Sequence, residues 1–292
     1  MTTEASTQQH EGRYVRANGT DIFYVEAGTG EPLLLLHGGL VSTNPVWAGV
    51  PVTYVSHMNT FAQHFRVIAP DTRGQGRTVN AGGGSIPYTL LADDVLALIN
   101  ALGLDRPLIC GFSEGGITAT IAAIRDPDAV RAIVNDAGYD LLNPHAPTMT
   151  MTRQVFGGSP DATLADPEAA ARFFEASDET RAMPALMQAD HDSAQGPGHW
   201  KTVIAELFER GTQSPGYTVE DLRKVTVPTL IMTGDRDFLC SVEEGVAAYR
   251  TLPDGELAIL PGISHVITPL KVHVSIDFLV RHATHQSGAA SA

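Results

Sequence analysis

The stretch Leu108–Ala123, LICGFSEGGITATIAA, decides how the rest of the chain is read. It opens on an apolar run and closes on a run rich in isoleucine, threonine and alanine. Between them Ser113 stands two residues after Gly111 and two before Gly115. A short apolar run ended by a turn reads as a buried strand, and the longer run after it as a helix. A serine between strand and helix occupies so tight a turn that flanking side chains collide, and the two glycines remove the collisions. Such a turn lifts the Ser113 hydroxyl above the sheet edge. It also sets it at a helix N-terminus, where unpaired N–H groups and the dipole favour developing negative charge. The five-residue pattern arises by chance in many chains. The strand before it and the helix after it make it informative here, and Ser113 is read as a nucleophile.

Working outward, short β-rich runs alternate with helical ones. YVRANGTDIFYVEAG reads as a hairpin about Asn18-Gly19. PLLLLHGG and FRVIAPDTRG read as buried strands, and TLLADDVLALINALG as a helix with Gly103 as its stop. Beyond the opening stretch come strand VRAIVNDAG, strand PTLIMTGDRD, helix VEEGVAAYRTL, strand ELAILPG and helix TPLKVHVSIDFLVRHA. This alternation predicts an α/β fold, a mostly parallel doubly wound sheet joined by right-handed crossovers, with helices on both faces.

The alternation breaks between 140 and 217, where strand signals are absent. DPEAAARFFEAS offers Asp166 as N-cap and Pro167 as first helical residue. WKTVIAELFERG puts Trp200, Val203, Ile204, Leu207 and Phe208 on one face and is expected to stop at Gly211. The expected organisation is a core over 12–139 and 218–284, a helical insertion over 140–217, and frayed polar tails at 1–11 and 285–292. The insertion's methionines, Met149, Met151, Met183 and Met187, either line an adaptable apolar pocket or pack the insertion onto the core. Trp47, Val50 and Tyr54 either wall an entrance or pack inside.

A serine hydroxyl needs a base, and the base needs an orienting acid. In a parallel sheet these groups sit just past the C-terminal ends of later strands. PTLIMT ends in GDRD, offering Asp235 and Asp237, and ELAIL is followed by PGISH, offering His265. Among the 11 histidines only His265 comes directly after the last strand, His273, His282 and His285 belonging to the late helix or tail. The order Ser113, Asp237, His265 is that of the nucleophile-elbow hydrolases. No histidine pair shows metal-ligand spacing, so no metal is expected.

The net charge of −14 leaves no basic stripe for phosphates and excludes nucleic acid as an expected partner. No run of 18 apolar residues offers a membrane span, and the first residues lack the basic end and apolar stretch of a signal peptide. The two cysteines, Cys110 and Cys240, suit a reducing compartment at least as well as a disulfide. The cytoplasm is the expected location. Nothing in the sequence sets an oligomeric state.

LLHGG, APDTRGQGRT, GFSEGG, GDRD and PGISH occur in an order that resembles the α/β-hydrolase superfamily, over about Arg13–Ala283. The insertion falls where such enzymes carry a helical cap. The resemblance implies a catalytic triad of Ser113, Asp237 and His265, with Asp237 as the acid and Asp235 in a turn. Asp136 is a third candidate, because some members place the acid there. It also implies an oxyanion hole from the backbone N–H groups of Glu114 and of Gly39, or less readily Leu40, while His37 orders the loop. The implied activity is cofactor-free cleavage of a carboxylic ester, a lactone or an amide in a small molecule with a carbonyl group. The same residues would serve carbon–carbon cleavage of a diketone-like substrate. A ligand-binding protein with an idle triad is the third alternative.

Within the superfamily, GFSEGGITA looks most like a branch with an acid after the serine, which includes hydrolases of amino-acid esters of the valacyclovir hydrolase type. On that resemblance the Glu114 carboxylate faces the pocket and attracts a cationic or hydrogen-bond-donating group. The plainer alternatives are that it stabilises its own helix start or pairs with Arg73. The candidate substrate contacts are Glu114, Trp47, Met151 and Trp200.

Overall fold

The computed structural model describes residues 11–139, 147–213 and 216–283. The expected tails, apart from Glu11, and the expected start of the insertion at 140–146 lie outside these residues.

The expected hairpin joins β1 (Gly12–Ala17) to β2 (Thr20–Ala27) in antiparallel register, with Ala17 opposite Thr20. Asn18 at φ 43° and Gly19 at φ 75° supply the two left-handed residues such a turn requires. Next come β3 (Pro32–Leu36), β4 (Arg66–Pro70), β5 (Leu108–Phe112), β6 (Ile133–Asp136), β7 (Thr229–Gly234) and β8 (Gly255–Leu260). The sheet order is β1-β2-β4-β3-β5-β6-β7-β8, and from β4 to β8 every pairing is parallel. Leu33, Leu34, Leu35, Leu108, Ile109 and Cys110 are fully buried, which accounts for strands that read as unbroken apolar runs.

The helices are α1 (Met58–Phe61), α2 (Tyr88–Ala101), α3 (Glu114–Arg125), α4 (Pro147–Gly157), α5 (Pro167–Glu175), α6 (Met183–Gln195), α7 (His199–Gln213), α8 (Val242–Thr251) and α9 (Pro269–His282). α2 ends as read, with Gly103 at φ 61° just beyond it. α5 starts as read, the Asp166 carboxylate accepting the Ala169 N–H at 2.9 Å. α7 differs: it runs on to Gln213, and Gly211 takes no left-handed φ, so it continues the helix instead of ending it. α4 to α7 lie between β6 and β7 and carry their own apolar cluster, including Val155, Phe156, Phe174 and Met187. Trp47 and Leu40, from the loop after β3, belong to that same cluster.

Parallel strands with helical crossovers bring several loops to one sheet edge. Gly39 follows β3, Ser113 follows β5, Asp237 follows β7 and His265 follows β8, all at C-terminal ends. No described helix is long and apolar enough to cross a membrane.

Candidate active site

Ser113 has φ 51° and ψ −119°, a conformation rarely open to a residue with a side chain. The neighbours explain how it persists. A Cβ on Gly111 would sit 2.3 Å from the Gly115 carbonyl oxygen, and one on Gly115 would sit 2.5 Å from the Leu36 oxygen. The Ser113 N–H donates to Asp136 O at 2.7 Å, which pins the turn to β6.

His265 and Ser113 line one cavity. The His265 Nδ1–H donates to Asp237, 2.8 Å from Oδ2 and 3.0 Å from Oδ1. That fixes the tautomer and leaves Nε2 with a free lone pair. Asp237 Oδ1 also accepts the N–H groups of Leu239 (2.9 Å) and Cys240 (2.8 Å). Burial works to raise the Asp237 pKa, but the His265 pairing and these N–H bonds outweigh it, and the carboxyl is held below its usual range. The imidazole lies between two aromatic rings, with centroids 4.8 Å from Phe112 and 5.7 Å from Phe238.

The other acid candidates have separate occupations. Asp235 accepts the Gly262 N–H at 2.5 Å and belongs to a turn. Asp136 is fully buried, 2.8 Å from Lys271 Nζ, and accepts the Tyr54 hydroxyl at 2.9 Å. His37 donates from Nδ1 to Gly38 O at 2.7 Å and accepts the Thr72 N–H on Nε2 at 3.0 Å, so it ties two loops together. Gly38, Gly39 and Leu40 border the cavity, as does Glu114 at the first position of α3.

The remaining candidates move. The Glu114 carboxylate is buried and doubly engaged: Oε2 accepts Arg210 Nε and Oε1 accepts Gln75 Nε2, both at 2.5 Å. Arg73 is not its partner, because its guanidinium grips Asp94 at 2.6 and 2.7 Å. Trp47 is buried away from the cavity, and its indole N–H donates to Asp190 Oδ2 at 2.7 Å. Met151 and Trp200 pack on the insertion's own apolar cluster, also outside the cavity wall. These two fall on packing faces of α4 and α7, and the wall is built instead from Phe156, Phe174, Met183 and Leu207 of the insertion with Val41 and Val52 of the core. Arg210, Gln75 and Asp190 are not singled out by the sequence, and His191 is set aside there as a histidine of the insertion. The signal for Arg210 was its place on the apolar stripe of α7, three residues after Leu207.

Asp237, Cys240 and His265 bring one ligating atom each within 4.8 Å of one another. Asp237 and His265 already satisfy each other, and the Cys240 thiol donates to Ala137 O at 2.9 Å. Each of the three therefore already has a hydrogen-bond partner within the protein.

A strained serine after β5, an acid after β7 and a histidine after β8 define a class, the nucleophile-elbow hydrolases. The chain belongs to the alpha/beta hydrolase fold family, whose pattern it matches over residues 31–267. It is 27% identical over 270 residues to a non-heme haloperoxidase of Rhodococcus erythropolis, covering 85% of this chain and 90% of that protein. It is 28% identical over 282 residues to a 2-hydroxy-6-oxo-6-(2'-aminophenyl)hexa-2,4-dienoic acid hydrolase of Metapseudomonas resinovorans, covering 90% and 87%. Its fold is similar to that of an esterase from Rhodococcus sp. ECU1013, with a TM-score of 0.72, 22% identity and coverage of 93% and 99%.

Proposed function

We propose that the protein is a cofactor-free serine hydrolase that cleaves a neutral, predominantly apolar carboxylic ester or lactone. The observation that carries this is the His265–Asp237 pairing, with Nε2 left free, beside a strained Ser113 on the wall of the same cavity. His265 Nε2 takes the Ser113 proton as Oγ attacks the carbonyl carbon. The oxygen of the tetrahedral intermediate gains negative charge and is held by the N–H groups of Gly39 and Glu114. The intermediate collapses, the alcohol leaves with the proton from His265, and an acyl-enzyme remains. Water, deprotonated by His265, then releases the acid. Removing one oxyanion donor costs about 10²–10³ in kcat.

The wall supports a neutral substrate. Among the described residues it holds no lysine or arginine, and its one carboxylate, Glu114, is engaged by Arg210 and Gln75. A cationic amino ester therefore finds no unpaired anion, and no preference for it is expected. Carbon–carbon cleavage draws support from the dienoic acid hydrolase, but a dienoate carboxylate would find no cation on this wall. Incubation with a fluorophosphonate, followed by mass spectrometry, should label Ser113. A panel of aryl esters, amino-acid esters, lactones and vinylogous diketones should show turnover of neutral esters. An unlabelled Ser113 in folded protein would return the binding-protein reading, and turnover confined to the diketones would establish carbon–carbon cleavage.

A further inference from the structure

The insertion does more than roof the cavity. Leu40, beside Gly39, has φ 73°, a left-handed conformation unfavourable for a residue with a branched side chain. Its carbonyl accepts the Nε2–H of His191 from α6 at 3.0 Å. The other ring nitrogen, Nδ1, accepts the Gly76 N–H at 3.1 Å, so both ends of a fully buried imidazole are used. Burial, opposed by Asp190, pushes the His191 pKa below the usual value, which keeps Nδ1 an acceptor. The preceding residue, Asp190, accepts the Ser42 hydroxyl and the Trp47 indole N–H, each at 2.7 Å, further along the same loop. On the other side, Arg210 of α7 holds the Glu114 carboxylate, and Glu114 opens α3. Leu207 of α7 packs so closely on Gly39 that a Cβ there would lie 2.8 Å from its Cδ2.

We propose that the insertion helps to assemble the catalytic machinery: His191 and Arg210 are positioning residues, each holding one half of the oxyanion hole. The inference rests on the acyl-transfer reading. The physical reason is geometric. Fixing the Leu40 carbonyl fixes the peptide plane that follows Leu40. Holding Leu40 at its unfavourable φ then aims the Leu40 amide and anchors the C-terminal side of Gly39, whose own N–H shares a peptide plane with the Gly38 carbonyl that His37 holds. Arg210 and Gln75 fix the first turn of α3, and with it the Glu114 N–H. Oxyanion donors act only at the correct distance, and a displacement of about 1 Å can cost 10²-fold in rate.

The test is steady-state hydrolysis of p-nitrophenyl butyrate by His191→Leu and His191→Gln. His191→Leu should lower kcat about 10–100-fold with KM within about threefold. Glutamine carries a donor and an acceptor, and His191→Gln should recover most of the loss. Native kcat in His191→Leu, a change confined to KM, or a His191→Gln as slow as His191→Leu would overturn the proposal. Should His191→Leu fail to fold, Glu114→Gln/Arg210→Met decides: it removes the second grip without leaving Glu114 as a lone buried charge. A kcat loss of about tenfold at unchanged KM supports the proposal, and native kcat overturns it. Fluorophosphonate labelling of native Ser113 runs alongside, and its absence would sink the acyl-transfer reading itself.

Discussion

Replacing Lys271 by methionine tests the charge balance beneath the site. Lys271 Nζ lies 2.8 Å from Asp136 Oδ1, and both side chains are 0% exposed. Without the ammonium, Asp136 keeps only the Tyr54 hydroxyl among its side-chain partners. Breaking a buried pair by removing one partner costs about 3–5 kcal/mol, and at roughly 2–4 °C per kcal/mol the melting temperature falls by about 6–20 °C. The loss depends on pH. Burial already raises the Asp136 pKa, with Lys271 opposing it, so Lys271→Met raises it further. The folded variant then holds a proton that the unfolded chain releases near pH ~3.9. Its stability is fullest below that value and is lost as pH rises through the folded pKa. Thermal and urea unfolding at pH 5 and pH 8 should show the larger deficit at pH 8. Asp136→Asn/Lys271→Met removes both charges, retains an acceptor for Tyr54, and should recover to within about 1–2 kcal/mol of native without the pH slope. A Lys271→Met deficit under about 1 kcal/mol at pH 8, or a double variant no better than the single one, would refute this account.

Asp237→Asn should lower kcat on neutral aryl esters by about 10⁴ by releasing the His265 tautomer, against about 10⁶ for Ser113→Ala. Equal kcat in Asp237→Asn and the native enzyme would transfer the acid's role elsewhere. Glu206 on α7 has its pKa pushed up to about 7 by burial, with Glu114 adding to the rise. Its contribution to stability is full below about pH 4.3 and is lost as pH climbs through about 7. Melting temperatures from pH 4 to pH 8 should therefore flatten in Glu206→Gln, and an unaltered slope would contradict the assignment. Trp47→Phe leaves Asp190 Oδ2 without its indole donor and should cost about 1–3 kcal/mol with KM for aryl esters unchanged. A raised KM at native stability would put Trp47 back on the cavity wall.

Much of the architecture was legible because it rests on local signals. The Ser113 turn was legible because a strained turn demands glycines at fixed offsets, and the positions of Asp235, Asp237 and His265 because strand ends can be counted, whereas preferring Asp237 to Asp235 took the family resemblance. Of the wall contacts, Met183 was among the methionines read as possible pocket lining, and the others were not legible. Aromatic and methionine side chains on an amphipathic helix look alike whether they face a cavity or a neighbouring helix, and Met151 and Trp200 face neighbours. Trp47 stayed open between an entrance wall and the core for a related reason: the loop after β3 is tied down by Asp190, a partner 143 residues away that no local pattern announces. The charged residues at helical core spacing were the overlooked signal. Arg210 falls in register with Val203 and Leu207, and Lys271 with Ser275 and Phe278, so each was marked for burial and needed an acid as partner.

The acid beside the nucleophile presents an electrostatic problem of its own. Glu114 opens the helix whose first N–H is assigned to the oxyanion, so a bare carboxylate on that residue would oppose the charge that forms during attack. For charges on the order of 8 Å apart at an effective dielectric of about 20, such a repulsion would be roughly 2 kcal/mol, or about thirtyfold in rate. Arg210, 2.5 Å away and fully buried, cancels it. This separates charge from grip. Arg210→Met loses both the grip and the cancellation, whereas Glu114→Gln/Arg210→Met loses the grip alone. The kcat order should be native, then the double variant, then Arg210→Met, with the last two about thirtyfold apart. Burst and steady-state kinetics on p-nitrophenyl butyrate, run at alkaline pH so that the carboxylate left by Arg210→Met is ionised, read that order directly. If Arg210→Met turns over as fast as the double variant while both stay folded, the Glu114 charge has no reach to the reacting carbonyl, and Arg210 acts on structure alone.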